Sequence, residues 1–387
     1  MSGLGRFFRS ILMTLGFVTV QVLVIGSPAE TQELKRNRQT EWEKTIKAAE
    51  EEGKVNLYVP SGAFDLIYRD LFQKKFPKIK VTTVPGKTTD LGKRITSERR
   101  SGVYIPDLFI GGGTTLFEVM YSNRFLDPIV PLLDLPDVLD RSKWFQGKHH
   151  YLDPEKKLIF VFEGSANGGA VIYNTKLVNP PELKSFWDLL EPKWKGKIVV
   201  MDPTSRGPVS STQRFFYYNP DLGPEFLRKL FRDMNVTIAH DDVQLINWVA
   251  VGRFAIGFYP RGIEIAIEQG LPIKEFEAAH FKEGASLVAP NGNVVLLNRA
   301  PNPNAAKVAV NWLLSREGQI AWLETARQKT KEENNSMRED IPTELVNPNV
   351  RRVKGVKYLD VATNPDLMNM TPIYELTRKA LDDSKKQ

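Results

Sequence analysis

The chain has 387 residues, 42% hydrophobic and 26% charged, a composition that excludes disorder or a fibrous repeat and allows large cores without metals or disulfides. It has no cysteine, which excludes thiolate zinc sites, iron–sulfur clusters, cysteine nucleophiles and lipoprotein anchoring. The formal charge is +7, from 53 basic and 46 acidic residues, a mild bias that argues little for nucleic acid. At roughly 150 residues per domain, two domains are expected.

The amino terminus reads as an address. Arg6 and Arg9 precede an apolar run at 11–25. That run, about fifteen residues, is short for a membrane span. Ser27 and Ala29 then fit the small-x-small rule for cleavage after Ala29, so 1–29 is expected to be a secretory signal peptide. The alternative is an uncleaved anchor. An exported chain without cysteine fits a bacterial envelope better than an animal secretion.

Beyond the leader, strands and helices alternate. Trp42, Ile46 and Ala49 predict a helix over 41–52, stopped by Gly53. A strand at 55–59 breaks at Pro60-Ser61-Gly62. Phe64, Ile67, Tyr68, Leu71 and Phe72 form an amphipathic helical stripe. Alternation at 79–83 predicts a strand, and Thr88-Thr89 can cap a helix that buries Leu91 and Ile95. A buried strand at 107–110 ends in Gly111-Gly112-Gly113, with Thr114 as the next cap. Such repeated strand–loop–helix units predict α/β folding around a largely parallel sheet.

The pattern continues through strands at 158–162, 170–173, 197–201, 236–239 and 254–259. Helices are expected after Ser185, through Phe215-Phe216, at 225–234, after Asp241 and at 262–268. Two more follow Asn304 and Ser315. The run 329–339 is polar and reads as a surface segment.

Open α/β sheets bind ligands beside helix starts at the carboxyl ends of their strands. Four loops offer small hydroxyl residues and free backbone N–H groups there: Ser61-Gly62, Thr88-Thr89, Gly113-Thr114-Thr115 and Thr204-Ser205-Arg206-Gly207. Such groups favour an anionic or polar ligand, although each loop alone is also explained by capping. Enzymatic patterns are absent: no dinucleotide fingerprint, no phosphate-binding P-loop and no nucleophile elbow occur. His149-His150 reads as part of a solvated loop, Asp241-Asp242 as a helix start, and Tyr217-Tyr218 as helix packing. None of the four histidines has metal-site spacing.

Several segments resemble the extracellular solute-binding proteins of ABC importers, and within them the branch of the periplasmic ferric-ion-binding proteins. They are VNLYVPSG at 55–62, FPKIKV at 76–81, PDLFI at 106–110, VIYNT at 171–175, FWDLLEPKWKGK at 186–197, MDP at 201–203, GRFAIGFY at 252–259, APNPNAAKVAVNWLLSREGQ at 300–319 and NSMREDIP at 335–342. Each is weak alone, but together they run through nearly the whole mature chain in the family's order.

The resemblance implies a two-lobed type II periplasmic-binding-protein fold. Two β crossovers, near 169–173 and 283–293, would form its hinge. Lobe one would take 30–170 plus 283–387, and lobe two 171–282. The ligand would lie between them, held by Ser61, Gly62, Thr88, Thr89, Gly113, Thr114, Thr115, Thr204, Ser205, Arg206, Tyr259 and Arg261. Two adjacent tyrosines of the ferric-binding relatives fall at Phe258-Tyr259 here. Only Tyr259 matches, which disfavours iron, whereas Arg206 and Arg261 suit a carboxylate, phosphate or phosphonate.

The expected function is therefore a periplasmic, monomeric protein without cofactor or metal. It would deliver a small organic anion to an inner-membrane permease and ATPase, with no nucleic-acid partner. Ferric iron held by Tyr259, an enzyme on the same scaffold and a sensory role are the alternatives.

Overall fold

The computed structural model describes residues 28–204, 208–260 and 262–386. The leader, apart from its last two residues, lies outside that set. So do Ser205, Arg206, Gly207 and Arg261. Among the described residues, no helix is long and apolar enough to cross a membrane.

Two separate hydrophobic cores form around two sheets. In the first, Lys54–Pro60 lies between Lys80–Gly86 and Leu108–Gly111, parallel to both. Asn293–Leu297 then pairs antiparallel with Leu108–Gly111 and with Ile159–Val161, and His150–Tyr151 forms the far edge. The sheet is thus mixed, not largely parallel. Its central strand comes back from the other lobe and enters from the opposite direction. Leu108–Gly111 and Ile159–Val161 are buried along their whole length, as expected of strands covered on both faces.

The second sheet has the order Thr237–Ala239, Ile198–Met201, Ile256–Phe258, Val171–Asn174, Ile273–Glu275. Its core gathers Phe186, Phe215, Phe216, Phe226 and Phe231, all fully buried.

Between the sheets lies a three-stranded ribbon. Ser165–Asn167 carries the chain out, and Ala285–Val288 brings it back antiparallel. The outgoing strand falls upstream of the expected 169–173, because Val171–Asn174 is already in the second sheet. A third strand, Tyr358–Asp360, lies parallel to the returning one. From there the chain runs to the helix Thr371–Ser384, whose Ile373 and Ala380 are buried in the second core against the helix Gly223–Asp233. The last helix therefore packs on the second core, although it falls within 283–387, the stretch expected with lobe one. Its apolar stripe completes the second core.

Several local expectations change for physical reasons. The helix from Ala63 passes through a π-helical turn, Ile67–Phe72, which rotates the stripe and leaves Leu71 43% exposed. Thr88 and Thr114 sit inside their helices, with Lys87 and Gly112 at the caps. Asn304 likewise does not cap its helix, Pro303–Leu314. The Glu52 carboxylate accepts from its first N–H groups, at 3.1 Å from Asn304 and 2.7 Å from Ala305. Ser185, Asp241 and Ser315 cap as expected.

His149 and His150 are not in a solvated loop. Their Nε2 atoms lie 2.8 Å from the Val138 and Phe145 carbonyls, and burial lowers both pKa values. The polar run 329–339 is not simply surface either. Asn335, Ser336, Met337 and Arg338 are buried. The Met337 N–H donates to Phe162 O at 2.7 Å, and the Arg338 guanidinium pairs with Asp137 and Asp340, both at 2.8 Å. A buried charge is tolerated here because its donors are matched.

Glu163, fully buried where the chain leaves the first sheet, joins the ribbon to the return turn. Its carboxylate accepts from the N–H groups of Asn291 (3.2 Å) and Gly292 (2.8 Å) and from the Ser165 hydroxyl (2.9 Å). Burial pushes its pKa up to about 8, against the pull of those three donors. The native state thus keeps a proton that the unfolded chain releases near pH 4.5. This contribution to stability is complete below about pH 4.5 and fades as pH rises through about 8. Glu163→Gln should abolish that component, so thermal melts at pH 5 and pH 8 should lie closer together than in the wild type. An unchanged gap would show that Glu163 is ionised throughout.

Candidate functional site

A cavity of about 1080 Å³ opens between the helix starts of the first core, the crossover ribbon and the C-terminal segment. The helix Thr88–Arg100 supplies much of one wall. Thr89, Lys93, Thr96 and Arg100 all line the cavity, and their i, i+4, i+7, i+11 spacing puts them on one helical face. Lys87, at the cap, joins them. Next to this wall, Gly113, Thr114 and Thr115 form the first turn of another helix, where the backbone N–H groups have no intrahelical acceptor. A Cβ on Gly112 would stand 2.8 Å from the Pro290 carbonyl oxygen, so a glycine is needed for the loop to close on the return turn.

Asn291 and Asn293 of the return turn line the cavity beside these loops. Thr88 Oγ1 stands 3.4 Å from Asn291 Oδ1 and accepts the Gly112 N–H, also at 3.4 Å. Asn293 is fully buried, and its Nδ2 donates to Gly111 O at 2.9 Å and Ala289 O at 3.1 Å. Its Oδ1 is buried without a partner among the described residues, an acceptor left available to a donor on a ligand.

The second lobe reaches the cavity through Arg214, on the helix Pro208–Tyr218. Arg214 is only 3% exposed, and its Nη1 lies 2.7 Å from Met368 Sδ. Burial pulls its pKa down to about 10, with Glu118 pulling back upward, so it stays cationic at neutral pH. Among the described lining residues, the cations Lys87, Lys93, Arg100 and Arg214 face a single acid, Glu118. Lys93 is also 3.4 Å from Asp90 at the exposed rim, a pair that water screens.

The cavity therefore brings together Ser61, Thr88, Thr89, Gly113, Thr114 and Thr115 of the residues expected from sequence. Three others are elsewhere. Gly62, at φ +122°, lies outside the lining, and the Ala63 N–H after it donates to Glu332 Oε1 at 3.4 Å. The protein's own carboxylate occupies that helix start. Thr204 is exposed and turned away, its hydroxyl donating to Asp202 Oδ1 at 2.7 Å.

Tyr259 packs inside the second core, 2% exposed, with ring centroids 5.9 Å from Phe258 and 6.2 Å from Phe216. Its N–H donates to Ala170 O at 2.7 Å and its φ is +68°. Such a positive φ is uncommon for a bulky residue, and Tyr259 is absent from the cavity lining. Burial drives its phenol far above the ordinary range. Among the described residues its hydroxyl has no partner.

Sequence reasoning missed Lys87, Lys93, Arg100, Arg214 and Asn293. The 89–93–96–100 polar stripe was a usable signal for two of them. Arg214 gave no comparable signal, because its helical neighbours Ser210, Ser211, Tyr217 and Tyr218 are themselves polar.

The orphaned phenol predicts that Tyr259→Phe will stabilise the protein by about 1 kcal/mol in urea denaturation, since an unpaired buried hydroxyl is removed. It should also leave affinity for anions unchanged. A loss of affinity would return Tyr259 to the site.

Two kinds of comparison bear on identity. The family model of bacterial extracellular solute-binding proteins matches residues 58–320. The fold is similar to the fructose-6-phosphate-bound periplasmic binding protein AfuA of Actinobacillus pleuropneumoniae, with TM-score 0.58 and 18% identity over 87% of this chain and 99% of that one. Iron-bound HitA of Pseudomonas aeruginosa gives 0.60 and 19%, over 84% of this chain and 99% of that one. FutA (IdiA) of Trichodesmium, with iron and citrate, gives 0.61 and 21%, over 86% and 99%. At these identities the structures speak to the fold alone. With the family match covering most of the chain and the two-lobed α/β architecture around a lined cavity, the chain belongs to the bacterial extracellular solute-binding proteins, which are binding components of ABC importers and not enzymes.

Proposed function

We propose that the protein captures a small organic anion in the interlobe cavity and presents it, as a periplasmic monomer, to its permease and ATPase. The leader 1–29 would direct export. Lobe one would comprise 30–170 and 283–370, and lobe two 171–282 with the helix Thr371–Ser384. The observation that carries the reading is the charge of the lining: four cations against one acid, beside helix starts whose N–H groups favour anions. Arg214 would take the ligand from the second lobe, so that binding draws the lobes together as rigid bodies. Arg206 and Arg261, in the loops beyond the described residues, would add to it.

An organic phosphate in the similar AfuA fits this reading. Ferric iron, which HitA and FutA hold, is less well supported. A ferric site needs several hard anionic oxygens around one ion, and here Phe258 replaces one phenol while Tyr259 is buried away from the cavity.

Thermal melts of the mature protein against phosphorylated and carboxylated metabolites, and against ferric citrate, test the proposal. An anion at about a hundred times its dissociation constant should add roughly 2.7 kcal/mol. Arg214→Ala should weaken that anion by about 1.5–3 kcal/mol, the range for a hydrogen bond to a charged group. Ferric citrate should give no visible iron–phenolate band. A coloured protein, or Arg214→Ala with full anion affinity, would overturn the reading.

A further inference from the structure

The lining is divided by chemistry as well as by charge. Besides its cations the lining carries an apolar set, Val361, Ala362 and Met368 of the C-terminal segment with Leu152, Val288 and Ala289. Met368 and Val361 are each 3% exposed, yet both border the cavity.

This wall is built, not draped. On one side the segment is pinned by the strand Tyr358–Asp360, paired to the returning crossover strand. On the other it is held by the helix Thr371–Ser384 on the second core. Between these anchors the Tyr218 hydroxyl donates to Asn369 O at 3.0 Å, and Tyr374 and Ser210 share a hydroxyl contact at 3.1 Å. The C-terminal part of the wall, Val361 to Met368, lies beyond the residues that the family model matches, 58–320.

Resting on the organic-anion reading, we propose that the solute is an amphiphilic anion, with a charged head on the Lys87–Lys93–Arg100 face and an apolar or ring-shaped body against the Val361–Met368 wall. Three points converge on this class. A cavity of about 1080 Å³ is far larger than an inorganic anion requires. A polyol body would place hydroxyls against an apolar surface that offers no partners, a costly burial, whereas a hydrocarbon or ring removes that surface from water. Arg214, against Met368, presents a flat guanidinium at the edge of the same wall, and such groups stack on planar rings.

Calorimetry on the mature full-length protein at constant ionic strength tests this with two matched series. One is inorganic phosphate, glycerol 3-phosphate and phenyl phosphate, and the other is acetate, glycerate and phenylacetate. In at least one series the phenyl member should bind about tenfold or more tighter than the polyol member, as expected from burying a ring. The variants Val361→Thr and Met368→Gln should reduce that preference to about threefold or less, because each puts a polar atom on the wall. Melts of the free variants establish that they fold. Polyol members that bind as well as their phenyl counterparts in both series overturn the amphiphile while leaving the anion reading standing. A phenyl preference untouched by both variants overturns the wall. Binding by no member of either series overturns the anion reading as well.

Discussion

The first sheet is completed by a strand that arrives from the other lobe, and this constraint shapes the molecule. Asn293–Leu297 sits between Leu108–Gly111 and Ile159–Val161, so the first core cannot close until the chain has built the second and returned. The outward and return paths must then lie side by side, as Ser165–Asn167 and Ala285–Val288 do. The turn between the returning strand and the sheet falls at the cavity, where Asn291 and Asn293 line it. Glu163 holds that turn through two backbone N–H groups, so one buried carboxyl links the hinge ribbon, the first sheet and the ligand-facing loop. The segment 335–338 closes the same region from behind, because its backbone bridges to Glu163 and Trp144.

The site draws its character from where helices begin. Parallel strands deliver their helices to one edge, so several sets of unpaired N–H groups point into one space. Not every set is open to a ligand. Glu332 takes the helix start after Gly62 and Glu52 takes the start at Pro303–Leu314, both well-matched carboxylates supplied by the chain itself. The starts at Thr88 and Gly113 border the cavity instead. Cations along one face of Thr88–Arg100 then add a field of the same sign, and Arg214 answers it from the second lobe. The apolar wall from the C-terminal segment gives the cavity a second, different side, which is where discrimination among anions would arise.

Much of this was legible in the residues. Hydrophobic periodicity located most helices and eight of the strands, but not Ser165–Asn167, Ala285–Val288, Asn293–Leu297, Tyr358–Asp360 or the helix Thr371–Ser384. The capping chemistry of Ser185, Asp241 and Ser315 was read correctly because an N-cap involves only neighbours in sequence. Six of the expected site residues do meet at the cavity, since small hydroxyls at helix starts are a local signature of such loops. The failures share a cause. Thr88 and Thr114 looked like caps, but the chain enters the first helix one residue earlier and the second two residues earlier. Asn335 to Arg338 looked solvent-facing because polar residues usually are. They are buried because Asp137 and Gln319 arrive from elsewhere in the chain, and Asp340 from two residues on, to satisfy them.

Sequence alone determined the α/β class, most helices and the strands they follow, the helix starts suited to an anion and the absence of thiol chemistry, because each depends on composition or on residues a few places apart. Tertiary structure alone decided which of those starts face the cavity, that Tyr259 packs into the second core, that Arg214, itself buried, borders the cavity, and that the final helix packs on the second core. Those outcomes depend on contacts between residues far apart in the chain. Periodicity shows that a side chain will be buried, but only packing selects the partner it is buried against.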